Sequence, residues 1–229
     1  MKQKVIDLAL KKVEQIIQTR SQDLDAESIP IIKEFFSKYA EDNQLFNHLH
    51  QAYKQKLSSI DLHHQQDIIT YHYDGTTHSI AFSTKQFELH EDVFVELLSF
   101  VIEITREVLP LGTVVELNPT YFKPSEQSEE PTKVVITERF IAPTGYNSYF
   151  PYGGIIYPIG EMTKEAKVYF TKPLIKRVVH RGFTDNIEDA FVYLIKEEFI
   201  VDKNLNSIEF SQDDMKRVDE EMKQKVGEE

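Results

Sequence analysis

The chain of 229 residues contains no cysteine and no tryptophan. The absence of cysteine excludes a disulfide framework, a thiolate metal ligand and a thiol nucleophile, and a reducing cytoplasm is the compartment this composition suits. No apolar run approaches the roughly 18 to 20 residues of a membrane-spanning helix. The opening "MKQKVIDLALKKVEQ" interrupts every apolar cluster with charge, unlike a signal peptide or an anchor. Also missing are a GxSxG elbow, the Gly-Lys-Ser/Thr ending of a phosphate-binding loop, a GxGxxG fingerprint and an HExxH pair, which removes the commonest sequence marks of hydrolase, nucleotide and zinc chemistry. Positive charge is scarce, with 26 Lys and Arg against 38 Asp and Glu for a formal net charge of -12. Both halves share it: 11 basic and 17 acidic residues lie up to Val108, and 15 and 21 beyond. Such a field disfavours nucleic acid and anionic lipid, whose phosphates need clustered Lys and Arg. One local exception spans Lys164 to Arg181, where Lys164, Lys167, Lys172, Lys176, Arg177 and Arg181 are accompanied only by Glu165.

What is present is amphipathic. Ile6, Ala9, Leu10, Val13, Ile16 and Ile17 recur at helical spacing, which predicts a helix over residues 3–20. Ser28 followed by Pro30 starts a second helical stripe, Ile32, Phe35, Tyr39, Phe46, Leu49, Tyr53, Leu57 and Ile60, with a break allowed at "EDN". "IITYHYDGTTHSIAF" changes the period to two and predicts a hairpin over 68–82 turning at Asp74-Gly75. Ile69, Tyr71, Tyr73, His78, Ile80 and Phe82 then share its buried face, and Thr70, His72, Thr77 and Ser79 the wet one. Residues 90–108 read as a helix covered on more than one side.

At "LPLGTVVEL" the regime changes, because Pro110 disfavours helix at Leu109 and Gly112 permits a tight reversal. A polar loop, "NPTYFKPSEQSEEPT", follows, then strands at "KVVITERFI", "YGGIIYPIG" and "AKVYF". Gly153 and Gly154 fit a turn or bulge. A helix is expected around Leu174, Ile175, Val178 and Val179, ending near Gly182, and Asp185 with Glu188 marks the acidic start of the next. Past Asn204 the composition turns polar. Ser211 and Asp214 resemble a capping box, and Met215, Val218, Met222 and Val226 make a thin helical seam suited to docking or to a solvated helix. The expected fold class is α+β: N-terminal helices with a β-hairpin (1–108), a small four-stranded α+β domain (109–203) and a charged tail (204–229).

The order of "LPLGTVVEL", "YGGIIYPIG", the "VYF" strand end, "LIKRVVHRGF" and "DNIEDAFVYLIKEE" resembles a domain-of-unknown-function family of Gram-positive bacteria. Its members occur in type VIIb secretion loci beside toxins with an N-terminal LXG helical domain. The resemblance runs from about Leu109 to Glu198 and departs from the family pattern at Ile159, where an acid is usual, and at Thr171-Lys172. It implies a non-catalytic cytosolic chaperone or targeting factor, whose partner is a secreted toxin or its helical LXG domain. An immunity protein that neutralises the toxin is the alternative within the same biology.

No catalytic, cofactor or metal residue is assigned. Seven of the eight histidines lie between His48 and His90, which keeps a metal-dependent enzyme as an alternative. Their spacing argues against one, since His48 and His50 on a helix point about 200° apart and His72 and His78 fall on opposite hairpin faces. For partner binding the candidates are the aromatic run Tyr146, Tyr149, Phe150 and Tyr152, where a wet hydroxyl suits an interface as well as a core. Lys172, Lys176, Arg177 and Arg181 join them, either complementing a helix C-terminus or steering an acidic partner. No cofactor, nucleic acid or membrane span is expected.

Overall fold

A computed structural model describes residues 2–122, 131–162 and 167–226, divided between two compact units, Met1–Arg106 and Glu107–Glu229. The apolar stripe of the N-terminus becomes α1 (Lys2–Thr19), burying Ile6, Ala9, Val13, Ile16 and Ile17. The second stripe is two helices, α2 (Ser28–Tyr39) and α3 (Asn43–Lys54). Asp25 accepts from the Ser28 amide at 2.9 Å to start α2, and Asp42 accepts from the Leu45 amide at 3.0 Å to start α3, so the "EDN" break is an N-cap.

The predicted hairpin is the middle of a four-stranded antiparallel meander, β1 (Ser59–His64), β2 (Asp67–Tyr73), β3 (Thr77–Phe82) and β4 (Lys85–His90). β1 begins at Ser59, where the helical stripe was expected to reach about residue 60. The outer turns, at Gln65 and Ser83, adopt φ of 54° and 52° without a glycine, so the usual turn signal is absent from the sequence. The central loop is longer than expected: Tyr73 pairs with His78, where a two-residue turn would have placed Thr76 opposite it. The displacement is two residues, so every side chain keeps its face. Asp74 closes this loop by accepting from the amides and hydroxyls of both Thr76 and Thr77, which holds its carboxyl far below the usual carboxylate range.

Helices cover one face of the meander. Phe35 sits within 5.1–6.1 Å, ring centre to ring centre, of Phe36, Tyr39, Phe46, Phe82 and Phe87, a core of edge-to-face and tilted rings. α4 (Glu91–Thr105) is buried nearly all round, against α1 on one flank and α3 and the sheet on others. It ends at Thr105, earlier than the 90–108 expected, since Arg106 is already extended. Among the described residues no helix is long and apolar enough to cross a membrane.

The second unit is built on a six-stranded sheet, where four strands were expected. β5 (Val114–Leu117), β6 (Lys133–Ile141), β7 (Ser148–Tyr157), β8 (Lys167–Phe170), β9 (Ile175–His180) and β10 (Asn206–Ser207) run in the order β10-β7-β6-β5-β9, with β8 also on β7. Val115, Leu117, Val134, Ile136, Tyr152 and Phe170 form its core with Leu109. Opposite Gly153 and Gly154 the register of β6 shifts between Ile136 and Glu138, and a Cβ on Gly154 would lie 2.3 Å from the Val135 carbonyl oxygen. The glycine pair therefore accommodates a bulge.

The helix expected at Leu174–Val179 is a correction: after a short 3-10 turn the chain enters β9, an edge strand on β5. The spacing of Ile175, Val178 and Val179 imitates a helix because the β9–β5 register shifts twice, which breaks the period of two. α5 (Asn186–Lys196) follows, then a π-helical turn (Glu197–Asp202), β10 and α6 (Gln212–Val226). α6 docks on its own unit: Asp214 accepts from the Ser148 hydroxyl at 2.6 Å, and Arg217 donates to the Gly145 carbonyl at 2.7 Å. The proline-punctuated loop lies partly outside the described residues, as do the start of "AKVYF", Lys164 and Glu165 in the basic stretch, and the side chains of Met222 and Val226.

Burial lowers the basicity of two histidines of the first unit. His78 is stacked 4.3 Å from Phe94 and 4.5 Å from Tyr73, and burial lowers its pKa; burial takes His50 from 6.5 down to about 4. Through His50 the unfolded chain binds more protons than the folded one below pH 6.5, so the contribution of this group to stability is full above that value and is lost as the pH falls toward 4. Thermal melts between about pH 7.5 and about pH 5 are expected to show this decline, and His50→Gln to flatten it. An equally steep decline in that variant would remove His50 as a cause.

Candidate functional site

The segment Pro110–Thr113 sets the end of β9. The Thr113 hydroxyl donates to the Pro110 carbonyl at 2.7 Å and accepts from the Gly182 amide at 3.1 Å. Gly182 approaches so closely that a Cβ there would sit 2.0 Å from the Leu111 carbonyl oxygen. From this crossing the chain reaches Asp185, whose carboxylate accepts from the Ile187 and Glu188 amides at 3.0 and 2.9 Å and begins α5.

α5 is then fastened by charge. Glu188 receives both arms of Arg139 from β6, one at 3.0 Å, and the Arg139 side chain is only 4% exposed. The same guanidinium lies 5.4 Å from the ring of Phe191, further along α5. Of the eleven residues of α5, all described, only Lys196 is buried. Val192 and Ile195 are half-buried, while three apolar side chains remain outside: Ile187 is 77% exposed, Phe191 47% and Leu194 61%. These three are spaced i, i+4, i+7 and so form one stripe. Phe183, 82% exposed, precedes them, and Val178 and Val179 stand exposed on the edge strand β9. A second, smaller group, Tyr157, Ile159 and Met162, is exposed at the end of β7. Exposed apolar side chains along one helix face are the kind of feature from which an interaction surface is built. Chemically the stripe can do one thing well, which is to exchange water for another apolar surface.

The structure distributes the sequence candidates differently. Tyr149 and Tyr152 are core residues, the latter with its hydroxyl 3.1 Å from the Leu109 amide. Phe150 is half-buried against Tyr169, and Tyr146 lies under Arg217 at 4.4 Å. The aromatic run therefore has its inward side in the core and is no continuous surface. The basic residues are not at a helix terminus. Arg177 grips Glu116, itself 3% exposed, through Nε at 2.7 Å, an arrangement that lowers the Glu116 pKa; Arg181 pairs with Glu107 at 2.6 Å, and Lys167 with Glu138. Lys176 is exposed and Lys172 half-buried. Charge that is clustered in sequence is thus largely neutralised in space. The histidines disperse too, and among the described residues no group of three or more His, Asp or Glu side chains could hold a metal ion. The outward face of α5 was not among the candidates. Its spacing is legible in "DNIEDAFVYLIKEE", yet the same spacing describes a buried helix.

A family described only as Domain of unknown function (DUF4176) matches residues 108–191, from the approach to β5 into α5. The domain-of-unknown-function character expected from the motifs is therefore shown for that stretch. Among curated proteins and among solved structures no match to the chain is found.

Gly182→Ala is expected to cost about 2 kcal/mol or more, because backbone would have to move on both sides; urea unfolding of the chain measures it, and an unchanged midpoint would contradict the crossing. Arg139→Ala leaves Glu188 without its partner and should cost about 3 kcal/mol, with faster amide exchange confined mainly to α5. Unaltered α5 protection would show that the pair does not hold the helix.

Proposed function

We propose that the chain is a cytosolic, non-catalytic accessory chaperone or targeting factor that binds an LXG-type toxin for type VII secretion. The observation that carries this reading is the outward apolar stripe Ile187, Phe191 and Leu194 on a helix fixed to its unit by ion pairing. A helix that needs no partner would turn this face inward. The choice of partner rests on the motif resemblance, whose family members lie beside LXG toxins, and the similarity of residues 108–191 to a family of unknown function is compatible with it. Mechanistically, the exposed stripe covers apolar toxin surface that is otherwise unpaired before export, and complementary charge sets orientation.

Capture of partners from the native cytoplasm, followed by truncation of the recovered protein, tests the proposal. Retention through the N-terminal helical region of an LXG toxin is the expected result. Retention through the toxic domain alone would replace export with immunity, and recovery of no toxin under conditions where the toxin is expressed would overturn the role.

A further inference from the structure

Continuing from the apolar stripe, α5 and the π-helical turn form a shallow groove lined by Phe191, Leu194, Ile195, Glu197, Glu198 and Asp202. Three lining residues are apolar and three acidic. The acidic half, Glu197, Glu198 and Asp202, comes from the π-helical turn. The charge imbalance extends along the segment: residues 185–203 hold Asp185, Glu188, Asp189, Glu197, Glu198 and Asp202 against Lys196 and Lys203. Lys196 is buried, Lys203 bridges Glu198 at 3.0 Å, and Arg139 reaches in from β6 to Glu188. The acids still outnumber these cations, so an apolar floor lies beside a rim of net negative charge.

We infer that this groove receives an amphipathic helix whose apolar anchors are flanked by lysine or arginine. The inference deepens the binding role proposed above and rests on it for the identity of the natural partner. The stripe from Ile187 to Leu194 spans seven residues of rise, about 10 Å, which matches two turns of a docked helix. Apolar contact alone would accept many partners; the acidic rim selects against acidic ones within a Debye length of about 8 Å. The rim also disfavours a second copy of this chain, whose net charge is -12 and whose own α5 carries the same acids. Of the basic side chains on and just after β9, Arg177 and Arg181 are committed to Glu116 and Glu107, which leaves the exposed Lys176 against the acids of the rim.

The test uses the full chain and two labelled peptides of about 18 residues, long enough to form helix on docking. One carries leucines at i, i+4 and i+7 among lysines; in the other every lysine is glutamate. Fluorescence anisotropy should give saturable binding of the lysine peptide, with Kd on the order of 10 µM. Affinity should fall on the order of ten-fold from about 50 mM to about 300 mM salt. The glutamate peptide should bind at least about ten-fold more weakly. Leu194→Asp should weaken the lysine peptide on the order of ten-fold, Asp202→Lys a few-fold, and Ile68→Asp, exposed on the other unit, not at all. Leu194→Gln serves if the aspartate variant loses helical circular dichroism. Equal binding of both peptides, or indifference to both Leu194 variants, would overturn the inference. So would a dimer in sedimentation that Leu194→Asp dissociates, since a second copy would then fill the groove. Toxin capture undiminished by Leu194→Asp would likewise sink the groove while leaving the export role. Groove binding of the lysine peptide without toxin capture would sustain the groove and sink the export role.

Discussion

The crossing of Gly182 over the Leu111 carbonyl is the constraint from which the second unit takes its form. Thr113 ties the two segments together through its hydroxyl, while the Gly112 amide donates to the Ile136 carbonyl at 2.8 Å and the Ile136 amide to the Thr113 carbonyl at 2.9 Å. Gly112 manages this at φ +76°, a conformation that glycine adopts without penalty. This short segment thus joins the start of β5 to β6 and to the exit of β9. Because the exit is fixed, the first turn of α5 has one available place, and Asp185 caps it there.

α5 is held in an unusual way for a helix with so much apolar surface. A helix of eleven residues is marginal by itself, and most helices of that length are stabilised by burying a face. Here an N-cap worth about 1 kcal/mol and a largely buried Arg139–Glu188 pair take that role. A buried ion pair contributes little net stability but strongly penalises other orientations, since either member alone would be stranded. Orientation is what this helix requires: the pair fixes which side faces the sheet and leaves Ile187, Phe191 and Leu194 outward.

Legibility in the sequence followed the strength of local signals. α1 and α4 were readable because their apolar positions repeat over four or more turns, and the faces of β2 and β3 because a strand's period survives even a loop misjudged by two residues. β1 and β4 were hidden by turns at Gln65 and Ser83 that reach positive φ without glycine. β9 was hidden by two register shifts that gave Ile175, Val178 and Val179 a helical rhythm. At the candidate site the cap at Asp185 could be seen in advance, but the exposure of α5 could not. Amphipathic spacing states that a face is apolar and is silent on what covers it. Tyr149 and Tyr152 failed in the opposite sense, since tyrosine suits a core and an interface alike, and for Tyr152 the hydroxyl contact to Leu109 marks the core.

Charge shows the same separation between sequence and space. The stretch around Lys176 is basic when counted along the chain, yet Arg177 and Arg181 find carboxylates brought from β5 and from the residues before it. Once those pairs form, they contribute little to the field beyond a few ångströms. The acids of α5 and its π-helical turn outnumber the cations beside them, of which Lys203 and Arg139 each match one carboxylate. The surviving field is therefore negative beside the exposed stripe, although the sequence places the lysines and arginines of the basic stretch immediately before it. Long-range attraction and short-range apolar fit converge on the same helix, and a partner must satisfy both: a field without anchors gives only transient encounters, and anchors without the field give contact without preference.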